Sequence, residues 1–177
     1  MGFVGFEKSE ERMEGLLSTI ASHLSQYHQT VTCAESCAGG LLSGAFTSVT
    51  GSSQWFYQSW VTYSNQAKQQ LLGVHHETLL NYGAVSAETV REMAQGARLL
   101  ADADYALSIS GIAGPGGGSK EKPVGTVWFG LATANQVITC VQHFDGNREN
   151  IRQQAVAFAL GLLVDNLFVY PEKKQRL

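Results

Sequence analysis

Apolar residues at Met13, Leu16, Leu17, Ile20 and Leu24 recur at the three-and-four spacing of a single helix face. They predict an amphipathic helix from Ser9 to Gln26, with Ser9 as its N-cap. Thr30 to Ala34, rich in β-branched residues, reads as a short strand, and a helix over residues 39–49 follows it. Between Gln54 and Ser64 the residues Trp55, Phe56, Tyr57, Trp60, Val61 and Tyr63 predict a strand over the second half of the segment. Asn65 is placed to cap a short helix over residues 66–72, which Gly73 stops. Ser86 caps another, whose apolar face is Val90, Met93, Ala94, Ala97 and Leu100.

Residues 104–112 read as a strand. Residues 124–134 and 137–144 read as the two arms of a hairpin, turned near Ala134-Asn135-Gln136. Asn147 opens a last helix that runs to about Phe168. Helices and strands thus alternate and then give way to a run of strands, which predicts a layered α/β fold on a mixed sheet.

A length of 177 residues suits one domain, residues 1–177, and 44% hydrophobic residues against 15% charged allow a substantial core. A net charge of −3 and an isoelectric point near 5.9 argue against a nucleic-acid partner held by a basic surface. Lys173, Lys174 and Arg176 read as a solvated tail. The most apolar stretch, Ala155 to Val164, lies between Arg152 and Asp165 and is too short for a membrane span. Phe3, Val4 and Phe6 do not extend into the long apolar segment of a signal peptide. Three cysteines cannot all pair within the chain, which fits a reducing cytoplasm. Apolar residues on several faces of the last helix predict burial in the core or against a second subunit, and so a homo-oligomer, a dimer for choice.

The segment Thr32-Cys33-Ala34-Glu35-Ser36-Cys37-Ala38-Gly39-Gly40 carries the strongest chemical signal. It reads as a strand end, a tight turn and a helix start, where backbone N–H groups lie bare. Such a turn holds an anion, or sets a nucleophile beside an oxyanion hole. Ser36 is the candidate hydroxyl nucleophile, and the same hydroxyl serves equally as a cap. Cys37 and Cys33 compete with it, since a thiol near a helix N-terminus ionises readily while a buried one is inert. Their spacing resembles half a metal site, but no second pair follows, so no metal is expected. Lys68 sits at the positive end of its predicted helix, where an ammonium is disfavoured, and is the candidate base. Tyr63 precedes it at a strand end. The five histidines form no His-x-His or His-x-x-x-His pattern.

Gly111-Ile112-Ala113-Gly114-Pro115-Gly116-Gly117-Gly118-Ser119 lets the backbone come close to a phosphate, with Lys120 and Lys122 nearby. It is neither a Walker loop nor a Rossmann fingerprint, because Gly-Lys-Ser/Thr is absent and a strand rather than a helix follows.

Four segments together resemble the CinA C-terminal-domain family: Ala34-Glu35-Ser36-Cys37-Ala38-Gly39-Gly40, Val61-Thr62-Tyr63-Ser64-Asn65-Gln66-Ala67-Lys68, Gly83-Ala84-Val85-Ser86, and Ser108-Ile109-Ser110-Gly111-Ile112-Ala113-Gly114-Pro115. Lys122-Pro123-Val124-Gly125-Thr126-Val127 extends the last. The resemblance runs from about Met13 to Leu167. It implies a three-layer α/β/α sandwich with a mixed β-sheet, and hydrolysis of nicotinamide mononucleotide to nicotinate mononucleotide and ammonia in pyridine-nucleotide salvage. No metal or cofactor is implied. It assigns Ser36 as nucleophile, Lys68 as its activator and Tyr63 beside them, with Cys37, Ala38, Gly39, Gly40, Ser110, Gly111 and Gly114 around the substrate. Longer members of the family carry an additional N-terminal domain. This chain departs from the usual family segment at Ala38, where threonine is the rule. A hydroxyl bonded to a charged group is worth about 1.5–3 kcal/mol. The alternative it motivates is a nucleotide-binding or regulatory protein without catalysis.

Overall fold

The computed structural model describes residues 3–168, so the basic tail at Lys173, Lys174 and Arg176 lies outside the described residues. In chain order the elements are α1 (Phe3–Tyr27), β1 (Val31–Glu35), α2 (Leu41–Thr47), a 3-10 turn (Ser52–Gln54), β2 (Trp60–Val61), α3 (Asn65–Leu72), α4 (His76–Tyr82), α5 (Ala87–Ala101), β3 (Tyr105–Gly111), β4 (Thr126–Ala132), β5 (Val137–His143) and α6 (Arg148–Asp165). The sheet runs β2-β1-β3-β4-β5. β2, β1 and β3 are parallel, and β4 and β5 are each antiparallel to the strand before. Helices α1, α2 and α6 cover one face, and α3, α4 and α5 the other. This is the three-layer α/β/α sandwich on a mixed sheet.

The two faces differ in grain. Towards α6 the strands present Val31, Cys33, Tyr105, Leu107, Ile109, Val127, Phe129 and Leu131. Towards α5 they present Ala34, Ala106 and Ala132. Alternation along each strand sorts these sets, since successive side chains point to opposite faces. The small residues let α5 lie close to the sheet. Ser108 Oγ donates to Val90 O at 2.6 Å, and a Cβ on Gly130 would stand 2.6 Å from that same carbonyl. α3 crosses α5 equally closely, because a Cβ on Gly96 would stand 1.9 Å from Leu72 O.

Several boundaries move. α1 begins at Phe3, so Ser9 lies within the helix and does not cap it. Asn65 is the first residue of α3. The cap is Ser64, whose side chain accepts from the Ala67 N–H, and Gly73 ends the helix with φ of 72° as anticipated. Ser86 caps α5 and Asn147 caps α6 with a capping box. Leu100, expected in the core, is 57% exposed and lies off the buried face of α5 formed by Val90, Met93, Ala94 and Ala97. The aromatic run after Gln54 yields a strand in its second half, as expected, but one of only two residues, while Trp55 and Phe56 in the first half pack on Phe46. α4 is an element the periodicity does not reveal. It buries only Leu79 and is fastened by Glu92 of α5, which accepts from the His75 N–H at 2.8 Å and the Thr78 hydroxyl at 2.7 Å. α6 stops at Asp165, and its apolar faces are absorbed between α1, α2 and the sheet. Its girth therefore calls for no second subunit. No helix among the described residues is long and apolar enough to cross a membrane.

Candidate active site

The carboxyl ends of the three parallel strands lie side by side, which is where open α/β sheets form their crevice. β1 is the middle strand of the three, and Ser36 follows its last residue. The Ser36 N–H donates to Ile109 O at 2.9 Å, which continues the β1–β3 ladder. On the other side the Thr62 N–H donates to Glu35 O at 2.8 Å, so the chain beyond β2 stays in register with the turn.

Lys68, in the first turn of α3, is almost wholly buried and reaches back to this turn. Its Nζ lies 2.9 Å from Ser36 Oγ, 2.8 Å from Thr62 O and 3.4 Å from Tyr63 O. Burial strips the ammonium of water and pushes its pKa down to about 8, against a smaller upward pull from the Cys37 sulfur. A neutral amine carries two hydrogens and a lone pair. The two carbonyls match the hydrogens, which leaves the lone pair for the Ser36 hydroxyl.

The other buried charge at the turn is Glu35. Gly40, the cap residue of α2, has no side chain to offer and sits at φ of 100°. Glu35 takes over that role. Its Oε2 accepts from the N–H groups of Gly40 at 3.1 Å and Leu42 at 3.0 Å. Its Oε1 accepts from the Ser43 N–H at 2.9 Å and from the Ser43 hydroxyl. The anion that the bare helix start invites is thus the chain's own carboxylate. The Gly39 N–H is also taken, by Ser36 O at 3.1 Å. Among the described residues, the N–H groups of Cys37 and Ala38 make no hydrogen bond to another residue. They are the donors left beside Ser36.

Two arginines of α6, one turn apart, complete the frame. Arg152 donates from Nε to Cys37 O and from Nη2 to Ala38 O, both at 3.0 Å, which satisfies those two carbonyls. Arg148 donates from Nη1 to Gly114 O at 2.8 Å and from Nη2 to the Tyr63 hydroxyl at 3.0 Å. The Tyr63 side chain is 63% exposed and meets Arg148, while its carbonyl faces Lys68. Ser110 is buried with its hydroxyl on Ala84 O at 2.7 Å. Gly111 pairs with Val127 so closely that a Cβ would stand 2.6 Å from the valine Cγ2. Gly114 sits at φ of 78° under Val124. Lys122 Nζ donates to Tyr82 O at 2.8 Å, which ties the glycine loop down over the start of the Gly83-Ala84-Val85-Ser86 segment.

Both cysteines are held as thiols. Burial raises Cys37 to about 11, despite its own N–H and the charges of Lys68, Arg152 and Arg148, and raises Cys33 well above its ordinary value. Ser36 is the hydroxyl in contact with the buried Lys68 amine.

Sequence reasoning missed Glu35, Arg148 and Arg152. An acidic residue shortly before a glycine-capped helix is a usable signal for the first. The arginines touch residues 34 to 115 positions away and leave no local mark.

Fold and site together define a three-layer α/β protein with a serine–lysine pair set at the carboxyl ends of its parallel strands. The description of the CinA C-terminal domain matches residues 13–167, and the chain belongs to that family. It is 54% identical over 153 residues to the nicotinamide-nucleotide amidohydrolase PncC of Enterobacter agglomerans, covering 86% of this chain and 93% of that one. Identity to the protein of the same name from Escherichia coli strain K12 is 58% over 135 residues, 76% of this chain and 82% of that one. The crystal structure of the competence/damage inducible protein CihA from Agrobacterium tumefaciens superposes with a TM-score of 0.84 at 42% identity, covering 87% and 94% of the two chains.

Proposed function

We propose that this chain is an amidohydrolase that converts nicotinamide mononucleotide to nicotinate mononucleotide and ammonia, as a single domain of residues 1–177. The observation that carries the reading is the 2.9 Å contact between a buried Lys68 of lowered pKa and Ser36. The names of the relatives supply the substrate.

Neutral Lys68 takes the Ser36 proton as Oγ attacks the carboxamide carbon. The N–H groups of Cys37 and Ala38 receive the oxyanion. The lysine ammonium then protonates the departing nitrogen, which leaves as ammonia with the C–N bond broken and an acyl-serine formed. Water, deprotonated by the same lysine, cleaves that ester to the carboxylate and restores Ser36. Tyr63 holds the lysine through its carbonyl and borders the crevice with its phenol. The start of α2 is filled by Glu35, so the 5′-phosphate is assigned to the Gly111–Gly118 loop, near Arg148 and Lys122. Ser110, Gly111 and Gly114 shape that side. The protein is read as a cytoplasmic enzyme of pyridine-nucleotide salvage that uses no cofactor and assembles with copies of itself.

The test is ammonia release from nicotinamide mononucleotide. Turnover by the wild type, its loss in Ser36→Ala and its survival in Cys37→Ala are expected. Binding without turnover in the wild type would identify a nucleotide-binding protein instead, with Ala38 as the place to look.

A further inference from the structure

β5 is an edge strand of seven residues, Val-Ile-Thr-Cys-Val-Gln-His, with no residue of fixed charge, no proline and no bulge. Natural sheets guard long edges with such devices, because open N–H and C=O groups invite another strand. Here the guard is missing. The side chains from Val137 to Gln142 are all half-buried on both faces, as in a strand covered on one side only.

The register shows which groups lie open. The Thr133 N–H donates to Gln136 O, and the Phe144 N–H to Gly125 O, so the bonded pairs of the hairpin fall on even-numbered residues of β5. Val137, Thr139, Val141 and His143 therefore turn their backbone groups outward. The one outward group with a partner among the described residues is Val137 O, which Arg91 of α5 reaches at 3.4 Å, the outer limit of a hydrogen bond.

We propose that β5 pairs antiparallel with β5 of a second copy about a two-fold axis at Cys140, joining two five-stranded sheets into one. This register matches Thr139 with Val141 of the partner subunit and Val137 with His143 of the partner subunit, so every outward residue finds an outward residue. Such self-complementarity is what an isologous interface requires. The strand's lack of fixed charge sets no like-charge pair across the axis. Cys140 falls opposite its own copy in the close, non-bonded position, where Cα atoms stand about 4.5 Å apart. That is within the span of about 4.4–6.8 Å that a disulfide bridges.

The test reads mass and cross-linking, not turnover, so it stands or falls apart from the amidase reading. Sedimentation of the wild type should give a dimer, and mild copper-catalysed oxidation should give a covalent dimer that Cys140→Ser abolishes. Thr139→Pro removes an outward donor without touching a bond to β4, which an edge strand tolerates. It should halve the mass with the far-ultraviolet spectrum unchanged. Should that variant not fold, Thr139→Lys gives the same readout. A wild-type monomer, or a dimer that survives both substitutions or does not cross-link through Cys140, overturns the proposal. A monomer that captures an extended peptide along β5 overturns it as well.

Discussion

Glu35 and Lys68 are both charged and both buried, and they meet the same turn from opposite faces of the sheet. Their surroundings differ in one respect. Every oxygen of Glu35 is met by donors, three backbone N–H groups and a hydroxyl, so the charge has somewhere to rest. Lys68 meets two carbonyls and a neutral hydroxyl and no carboxylate, so its charge has no counterpart. Burial with full satisfaction makes a fixed part of the frame, whereas burial without it makes a group that prefers to lose its proton. The carboxylate builds the turn, and the amine is the group there whose proton burial loosens.

The largest effect expected from that contrast is on turnover. Lys68→Ala should lower kcat by roughly 10³-fold or more, on the scale that general bases contribute. In the wild type, kcat/KM should rise with pH and level off above about 8, because the base must be deprotonated and its pKa stands near 8. A flat profile from pH 6 to 9 would break the contrast at once.

Next comes Lys68→Met, read by stability. The lysine binds its proton less readily folded than unfolded, so its cost is complete below pH about 8 and fades as pH rises towards 10.5. The shift from 10.5 to about 8 corresponds to about 3 kcal/mol. The methionine variant should be more stable at neutral pH by up to that amount, less what the Thr62 carbonyl loses. Its advantage should shrink in alkaline denaturant titrations.

Glu35→Gln should do the reverse, with the smaller effect. It puts an amide where only acceptors are wanted, and stability should drop by about 1–3 kcal/mol. At about 2–4 °C per kcal/mol for a chain of this size, calorimetry resolves the change. Turnover should suffer far less than in Lys68→Ala. Equal loss of turnover at an unchanged melting temperature would assign the carboxylate to the chemistry.

How much of this was legible beforehand follows the range of the contacts. The caps at Ser86 and Asn147, the stop at Gly73 and the β4–β5 hairpin rest on neighbours in sequence, and residue types declare them. Ser36 and Lys68 stood out as an unusual turn and a lysine at a helix start, but their contact spans 32 positions and only the fold displays it. The same applies to the orientation of Tyr63, set by Arg148 from 85 positions away. β2 lies in the second half of its aromatic segment, as the residue types suggest, but spans only two residues. α4 escaped because one buried leucine makes no periodic stripe.

Gly96 gives the site a dimension that no residue at the site reveals. The missing side chain lets α3 lie against α5 at backbone distance, one turn beyond Lys68. A single methyl there has no room beside Leu72 O, so α3 or α5 must shift by about an ångström, and a displacement of that size costs a catalyst up to about a hundredfold. The position of Lys68 thus depends on a clearance between two helices, set by a glycine that touches neither Lys68 nor Ser36.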